Sequence, residues 1–207
     1  MPKLVLQHTY ESVEIAIYDL GKQIAFRLEE KHQASSKLIL AIEFLLKKAS
    51  LKLSDLEVII VNQGPGPFTT LRTVISTING LAFATNLKII GVNGLKALIN
   101  YDLKDIAYPK VILFNAFAND VYFAIKTADS LELGVDTVDS LILKLNNLKS
   151  FFIAGNGFSL HKDKFNSFDY QEIFPSYPTL DAIYYESHNQ PSFDQVLPLY
   201  LKQIKYF

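Results

Sequence analysis

The feature that most constrains the fold is an uninterrupted apolar run, Val58-Ile59-Ile60-Val61, which ends in a dense break. Four β-branched residues with no polar residue between them predict a strand that is buried on both faces of a sheet. The break, Asn62-Gln63-Gly64-Pro65-Gly66-Pro67, predicts a sharp corner. The residues from about Thr70 to Ala84 then predict a helix. A buried strand that turns directly into a helix is typical of a layered α/β protein.

The segments around this strand and helix predict the rest of one sheet with its flanking helices. Three extended segments near the start predict a meander of strands: Leu4–Leu6, Val13–Tyr18 and Gln23–Leu28. A helix is predicted after them, with Ser35 or Ser36 as its N-cap, and Lys88–Val92 predicts another buried strand. This order, three strands, helix, strand, helix, strand, is that of a ribonuclease H-like half, as used by the actin-like ATPase superfamily.

A similar opening recurs in the second half of the chain. Val111–Phe114 predicts a buried strand that ends in Asn115, and Asp120–Lys126 alternates as a second strand. The recurrence fits either an internal duplication or two unrelated hairpins. On the first interpretation the fold class is α/β, with two related lobes that each hold a mixed sheet flanked by helices. The expected division is an N-terminal lobe over residues 1–100 and a smaller C-terminal lobe over residues 101–207.

Composition excludes several classes of chemistry. The 207 residues contain no cysteine, so disulfides, thiolate metal sites and thiol nucleophiles are excluded. The chain has 20 Lys and Arg against 21 Asp and Glu, a balance that lacks the basicity of a stand-alone nucleic-acid binder. The sequence shows no signal peptide and no apolar run long enough to cross a bilayer. We therefore expect a soluble, cytoplasmic protein without membrane contact.

The corner lies where phosphate-binding loops occur, because the first N–H groups of a helix are unpaired. It consists of Gly64, Pro65, Gly66 and Pro67. Each proline removes an N–H donor, and no lysine followed by serine or threonine completes a Walker loop. A rigid structural corner, capped by Thr69 or Thr70, is therefore favoured over a phosphate cradle.

The helix after the corner carries almost no charge, since Arg72 is the only charged residue from Thr70 to Asn86. A broad apolar stripe predicts the face that packs on the sheet: Leu71, Val74, Ile75, Ile78, Leu81 and Ala82. Small residues form a row beside it: Thr73, Ser76, Thr77, Gly80 and Ala84. A bare row of this size would be a sticky patch on a monomer. We expect the second half of the chain or, as the favoured alternative, another protein chain to cover it.

The predicted interface joins this row to the start of the helix. Its members are Phe68, Thr69, Arg72, Thr73, Ser76, Thr77, Gly80 and Ala84. Arg72 lies in the first helical turn, where a cation opposes the helix dipole. We expect its side chain to reach a carboxylate or a carbonyl, within the chain or on a partner.

The segment Gly64-Pro65-Gly66-Pro67-Phe68-Thr69-Thr70-Leu71-Arg72 resembles the Gly-Pro-Gly-Ser-Phe-Thr-Gly-Leu-Arg signature of the TsaB family, also called YeaZ. The likeness continues in register through residues 79–84 and 90–98. Three later segments are also similar to the family: Asn115-Ala116 with Asp120-Val121-Tyr122, Gly155-Asn156-Gly157, and Pro198-Leu199-Tyr200-Leu201-Lys202. The resemblance spans nearly the whole chain, and its nine-residue core is specific.

The resemblance implies a bacterial accessory subunit for the formation of threonylcarbamoyladenosine on tRNA. Members of the family pair with the catalytic paralogue TsaD, which transfers the threonylcarbamoyl group, and the ATPase TsaE joins them. They have no catalysis of their own, form homodimers through the same helical surface and meet tRNA only through the complex. The resemblance thus implies a chain with no catalytic residue and no cofactor.

The sequence departs from the family pattern at six positions, one of which is Ala34, where the family has a His before the first helix. His8 and Asn115 each stand at a strand end where the family has Asp, and Phe117 stands where it has Arg. Pro67 replaces the Ser of the signature, and Thr70 replaces its last Gly. In catalytic members of the superfamily, strand-end carboxylates organise the metal and the nucleotide phosphates, because hard cations prefer oxygen ligands. The missing acids therefore argue against ATP hydrolysis.

Two other functions remain open at the level of sequence. One is a small nucleotide-binding ATPase or kinase of the actin-like superfamily, and the other is a self-associating protein with no role beside TsaD. The four histidines do not have the spacing of a helical metal site, so no metal site is expected.

Overall fold

The structure is a computed structural model that describes residues 1–201, apart from the side chain of Ser35. Contacts divide the described residues into two compact units, Met1–Gly94 with Thr179–Leu199 and Leu95–Pro178 with Tyr200 and Leu201. The predicted division at residue 100 differs from this one, because the segment after Pro178 packs within the first unit. Lys202, which ends the tail segment similar to the TsaB family, lies outside the described residues.

The secondary structure alternates strands and helices. The strands are β1 (Lys3–His8), β2 (Ser12–Asp19), β3 (Lys22–Glu30), β4 (Val58–Gly64), β5 (Lys88–Asn93), β6 (Lys110–Asn115), β7 (Asp120–Lys126), β8 (Leu131–Thr137), β9 (Ser150–Ala154), β10 (Asp169–Glu172) and β11 (Ser192–Phe193). The helices are α1 (Ala34–Lys48), α2 (Phe68–Thr85), α3 (Gly94–Ala97), α4 (Val138–Leu145), α5 (Asn156–His161) and α6 (Leu180–Glu186).

The first unit is built on a six-stranded sheet in the order β11-β5-β4-β1-β2-β3. β1, β4 and β5 are parallel, and β2 and β3 continue the sheet as an antiparallel meander. α1 and α2 pack on one face over a core of aliphatic residues. α6 packs on the other face, where the Tyr184 ring stacks on Tyr18 with ring centres 4.5 Å apart. The apolar run Val58–Val61 is buried in β4, as predicted.

The second unit repeats this arrangement around a five-stranded sheet in the order β10-β9-β6-β7-β8. β6, β9 and β10 are parallel, and β7 and β8 are antiparallel. Chain order and sheet order therefore match those of β1 to β5, with α4 and α5 in the places of α1 and α2. The prediction of two related lobes with mixed sheets is confirmed, and the alternative of two unrelated hairpins is wrong.

Both major helices of the first unit begin earlier than the sequence predicted. α1 begins at Ala34, and its N-cap is Gln33 rather than Ser35 or Ser36, because a 3-10 turn over Lys31–Gln33 leads directly into the helix. α2 begins at Phe68, with Pro67 as its N-cap and no side-chain cap. The predicted capping of this corner by Thr69 or Thr70 is therefore wrong, since both residues already lie inside the helix.

Candidate interaction surface

The four residues of the corner, Gly64–Pro67, are buried and tied to the strand ends around them. The Gly64 N–H donates to Asn62 Oδ1 at 2.8 Å, and Asn62 Nδ2 donates to Gln7 Oε1 at 2.6 Å. Gly64 has φ of 111°, which favours glycine. A Cβ at Gly64 would lie 3.1 Å from the side chain of Leu71. The corner is thus a packed structural element, and it presents few N–H groups to a ligand.

His8, at the end of β1, fills the space beneath the corner. Its side chain is only 3% exposed, and a Cβ placed on Gly66 would lie 2.6 Å from His8 Cε1. Neither ring nitrogen has a hydrogen-bond partner among the described residues. Burial lowers the pKa of His8 to about 4, and the nearby backbone of Asn62 opposes this shift. At neutral pH the strand end therefore carries an uncharged ring where catalytic relatives are expected to carry a carboxylate.

The second strand end that departs from the family pattern closes a tight hairpin. The Phe117 N–H donates to Asn115 Oδ1 at 2.8 Å, and the Asn115 N–H donates to Asn156 Oδ1 at 3.2 Å. Phe117 and Ala118 both have positive φ, 68° and 53°. The side-chain amide of Asn115 thus stabilises the turn between β6 and β7. No group of three or more His, Asp and Glu side chains within residues 1–201 is placed to hold a metal ion.

α2 is divided into a buried face and an exposed face, as the pattern of residues predicted. Thr70 and five apolar residues are buried: Leu71, Val74, Ile75, Ile78 and Ala82. The residues predicted as an interface lie together on the other side of the helix. Six of them are exposed: Phe68, Thr69, Arg72, Ser76, Gly80 and Ala84. The other two, Thr73 and Thr77, are half-buried.

The exposed face of α2 is nearly uncharged. A Cβ on Gly80 would meet no atom within 4 Å, so a partner backbone could approach closely there. The hydroxyl of Thr77 donates to the Thr73 carbonyl at 2.8 Å, so its proton is already bonded within the helix. Phe83, which sequence reasoning missed, is 88% exposed beside the row. In the sequence, Phe83 belongs to neither the apolar stripe nor the row of small residues, and that position could have indicated an exposed ring.

Arg72, the one cation of this surface, lies over the ring of Phe68 with 4.9 Å between the guanidinium carbon and the ring centre. Within residues 1–201 it makes no ion pair, and the expected bond to a carboxylate or carbonyl of its own chain is not formed. A cation above an aromatic face keeps its donors available at the edge of the surface.

A late segment of the chain holds the opposite flank of α2. Asn79 Nδ2 donates to the Val196 carbonyl at 2.9 Å, and the Val196 N–H donates back to Asn79 Oδ1 at 3.0 Å. The Leu199 N–H donates to the Gln63 carbonyl at 2.7 Å, next to the corner. These bonds cover one side of the helix and leave the row of small residues exposed. Sequence spacing gave no signal for them, because the partners are more than a hundred residues apart.

The fold of the two units defines the class of the protein: each unit is a ribonuclease H-like half of the kind found in actin-like ATPases. A Pseudomonas aeruginosa protein described as similar to the peptidase YeaZ superposes with a TM-score of 0.78 at 21% identity, over 97% of this chain and 99% of that chain. The (R)-2-hydroxyglutaryl-CoA dehydratase component A of Acidaminococcus fermentans superposes with a TM-score of 0.51 at 9% identity, over 91% and 97%. Likeness at these identities concerns the fold alone.

Sequence comparison then assigns the family. The chain is 24% identical over 195 residues to the tRNA threonylcarbamoyladenosine biosynthesis protein TsaB of Buchnera aphidicola. The match covers 87% of this chain and 90% of the relative. The family model described as "TsaD: tRNA N6-adenosine threonylcarbamoyltransferase" matches residues 28–149. The chain belongs to this family and is a TsaB/YeaZ member of it. Within residues 1–201, no helix has the length and hydropathy needed to cross a membrane.

Proposed function

We propose that the chain is a cytoplasmic, non-catalytic accessory subunit in the formation of threonylcarbamoyladenosine on tRNA. It supports the catalytic paralogue TsaD through the exposed face of α2. The observation that carries this proposal is the uncharged row at Thr73, Ser76, Thr77, Gly80 and Ala84, whose members are exposed or half-buried in the single chain although the row is suited to close packing. Relatives of the chain are named as TsaB proteins of tRNA threonylcarbamoyladenosine biosynthesis, which supports the choice of this pathway.

The chemistry at the strand ends supports an accessory role over catalysis. His8 and Asn115 offer no carboxylate for Mg²⁺, and the corner lacks both a Walker lysine and the N–H groups that its prolines remove. The alternative, a small ATPase or kinase, is supported by the fold alone. Titration calorimetry with Mg-ATP separates the two: micromolar binding with turnover would favour the alternative, and no heat is expected for the accessory subunit.

The proposal extends to the rest of the complex. TsaE joins the pair of this chain and TsaD, tRNA is reached only through the assembled complex, and the isolated chain forms a homodimer through the same face of α2. A helix face whose only charged residue is Arg72 fits a surface that exchanges one protein partner for another.

Light scattering of the purified chain mixed with its cognate TsaD tests the association. A single species with the summed mass is expected. Gly80→Arg or Ser76→Glu places a charge in the close-packed row and is expected to weaken association at least ~10-fold. Leu160→Arg adds the positive charge of Gly80→Arg at an exposed site of the second unit and is the control for that variant. Two separate species from the wild-type mixture, or association unchanged by both α2 variants, would overturn the proposal.

A further inference from the structure

An open cavity in the first unit has no place in the proposed function. It has a volume of about 600 Å³, which is within the range of small-molecule sites. The cavity lies between the turn that joins β1 to β2, the segment that leads from β3 into α1, and the first turns of α2. Six of the residues that line it matter for its chemistry: Glu11, Lys31, Ala34, Thr69, Thr70 and Thr73.

Thr70 brings an unsatisfied polar group to the wall of this cavity. The residue is only 4% exposed, and its hydroxyl makes no hydrogen bond among residues 1–201. A buried hydroxyl without a partner costs free energy, and a polar group of a ligand in the cavity would remove that cost. The cavity is therefore suited to a ligand that forms a hydrogen bond at this position.

The cavity also offers donors for a negatively charged group. The Leu71 N–H donates to the Pro67 carbonyl at 2.9 Å, so the N–H groups of Thr69 and Thr70 precede the hydrogen bonding of the helix. Lys31 lines the cavity as well, and its ammonium makes no ion pair among the described residues. Helix N–H groups, a hydroxyl and a cation are together the donors that bind a carboxylate.

A negatively charged side chain lines the same cavity. The Lys31 N–H donates to the Glu11 carbonyl at 2.8 Å, which extends the pairing of β2 and β3 by one residue and places Glu11 opposite Lys31. Opposite charges on facing residues usually pair. Within residues 1–201, however, the Glu11 carboxylate forms no ion pair with Lys31 or with any other side chain. A cation and an anion are thus both available to a ligand, on neighbouring segments of the wall.

Ala34 leaves room for such a ligand. It lines the cavity at the position where the TsaB family has a His. A methyl group in place of an imidazole ring takes less space from the cavity, so this departure from the family pattern enlarges the site.

We propose that this cavity binds a free α-amino acid. The carboxylate of the ligand accepts from Lys31, from the Thr70 hydroxyl and from the first turn of α2, and its ammonium donates to Glu11. An α-amino acid carries its two opposite charges on groups attached to one carbon, which matches a cation and an anion on facing residues. Phosphate and other simple anions would instead be repelled by the Glu11 carboxylate.

Titration calorimetry with each of the common L-amino acids tests the proposal. Every protein carries Gly80→Arg, so that self-association through α2 does not cover the cavity, and TsaD is left out. At least one amino acid is expected to bind with a dissociation constant of about 1 mM or tighter. Its N-acetyl derivative, which lacks the ammonium, and its amide, which lacks the carboxylate, are each expected to bind at least ~10-fold more weakly. The proposal is overturned if no amino acid binds, or if the N-acetyl derivative binds as tightly as its parent, which would indicate a site for anions only.

Substitutions test the assigned contacts with the amino acid that binds most tightly. Thr70→Val keeps the shape of the side chain without its hydroxyl, and Glu11→Gln and Lys31→Met each remove one charge. Each of the three is expected to raise the dissociation constant at least ~5-fold. Ala34→His restores the family residue and is expected to weaken binding by filling the cavity. Lys48→Met removes a charge from an exposed site of α1 and is the control. Affinity that is unchanged by Glu11→Gln and Lys31→Met, or lowered equally by Lys48→Met, would overturn the proposal.

Discussion

At the scale of single residues, the most informative contact is the one between His8 and Gly66. The side chain that replaces the family's strand-end Asp is accommodated because the corner above it has no Cβ at Gly66. The ring is buried without a hydrogen-bond partner among the described residues, so its neutral form is the one that fits. The departure at position 8 is therefore compensated by packing.

Gly66→Ala is expected to lower the free energy of unfolding by about 1–3 kcal/mol, because the new methyl group would overlap the buried ring of His8. Urea denaturation followed by circular dichroism measures the change. Gly80→Ala is the matched control, since it adds a methyl group in open space within a helix. The control is expected to raise stability by up to about 1 kcal/mol. Equal effects of the two substitutions would show that His8 does not limit the space at Gly66.

The pKa of His8 sets a dependence of stability on pH. The unfolded ring binds a proton below a pH of about 6.5, whereas the folded ring does so only below about 4. Between these values the unfolded state binds more protons, so the free energy of unfolding falls as the pH falls. The loss attributable to His8 is expected to reach about 3 kcal/mol near pH 4. His8→Leu, measured by urea denaturation across this window, is expected to lack that loss, and parallel curves for the two proteins would contradict it.

At the scale of secondary structure, α2 has one face buried on the sheet and one face exposed. Its buried face follows from apolar residues at helical spacing, and the sequence predicted that face well. Its flank is bonded to a late segment through Asn79 and Val196, a contact that no local pattern encodes. Phe83 also escaped prediction, because a single aromatic residue outside both rows is usually an unremarkable surface residue.

Phe83→Ala is expected to weaken association with TsaD about 10-fold or more, since a large ring exposed next to a close-packing row is suited to fill a pocket of a partner. Surface plasmon resonance with immobilised TsaD measures the dissociation constant. Phe174→Ala removes a similarly exposed ring from the second unit and serves as the control. A loss of affinity in the control but not in Phe83→Ala would place the interface elsewhere.

At the scale of the whole molecule, the order of apolar segments suggested two related halves but left two unrelated hairpins open, and the matching strand orders of the two sheets decide for related halves. Connections between parallel strands are nearly always right-handed, so a given order of strands and helices is compatible with few sheet topologies. The return of α6 and β11 to the first sheet was not predicted, because the local sequence does not state which sheet a late segment joins. The contact between His8 and Gly66 was missed for the same reason: it joins residues far apart in the chain.

The assembled reaction gives the most direct test of the accessory role. The measurement is the amount of threonylcarbamoyladenosine formed on tRNA by TsaD and TsaE, supplied with the threonylcarbamoyl adenylate, in the presence and absence of this chain. Formation is expected to require the chain, to fail with the chain in place of TsaD, and to drop with Gly80→Arg but not with Leu160→Arg. Formation by this chain without TsaD, or an equal yield with and without it, would contradict the proposed role.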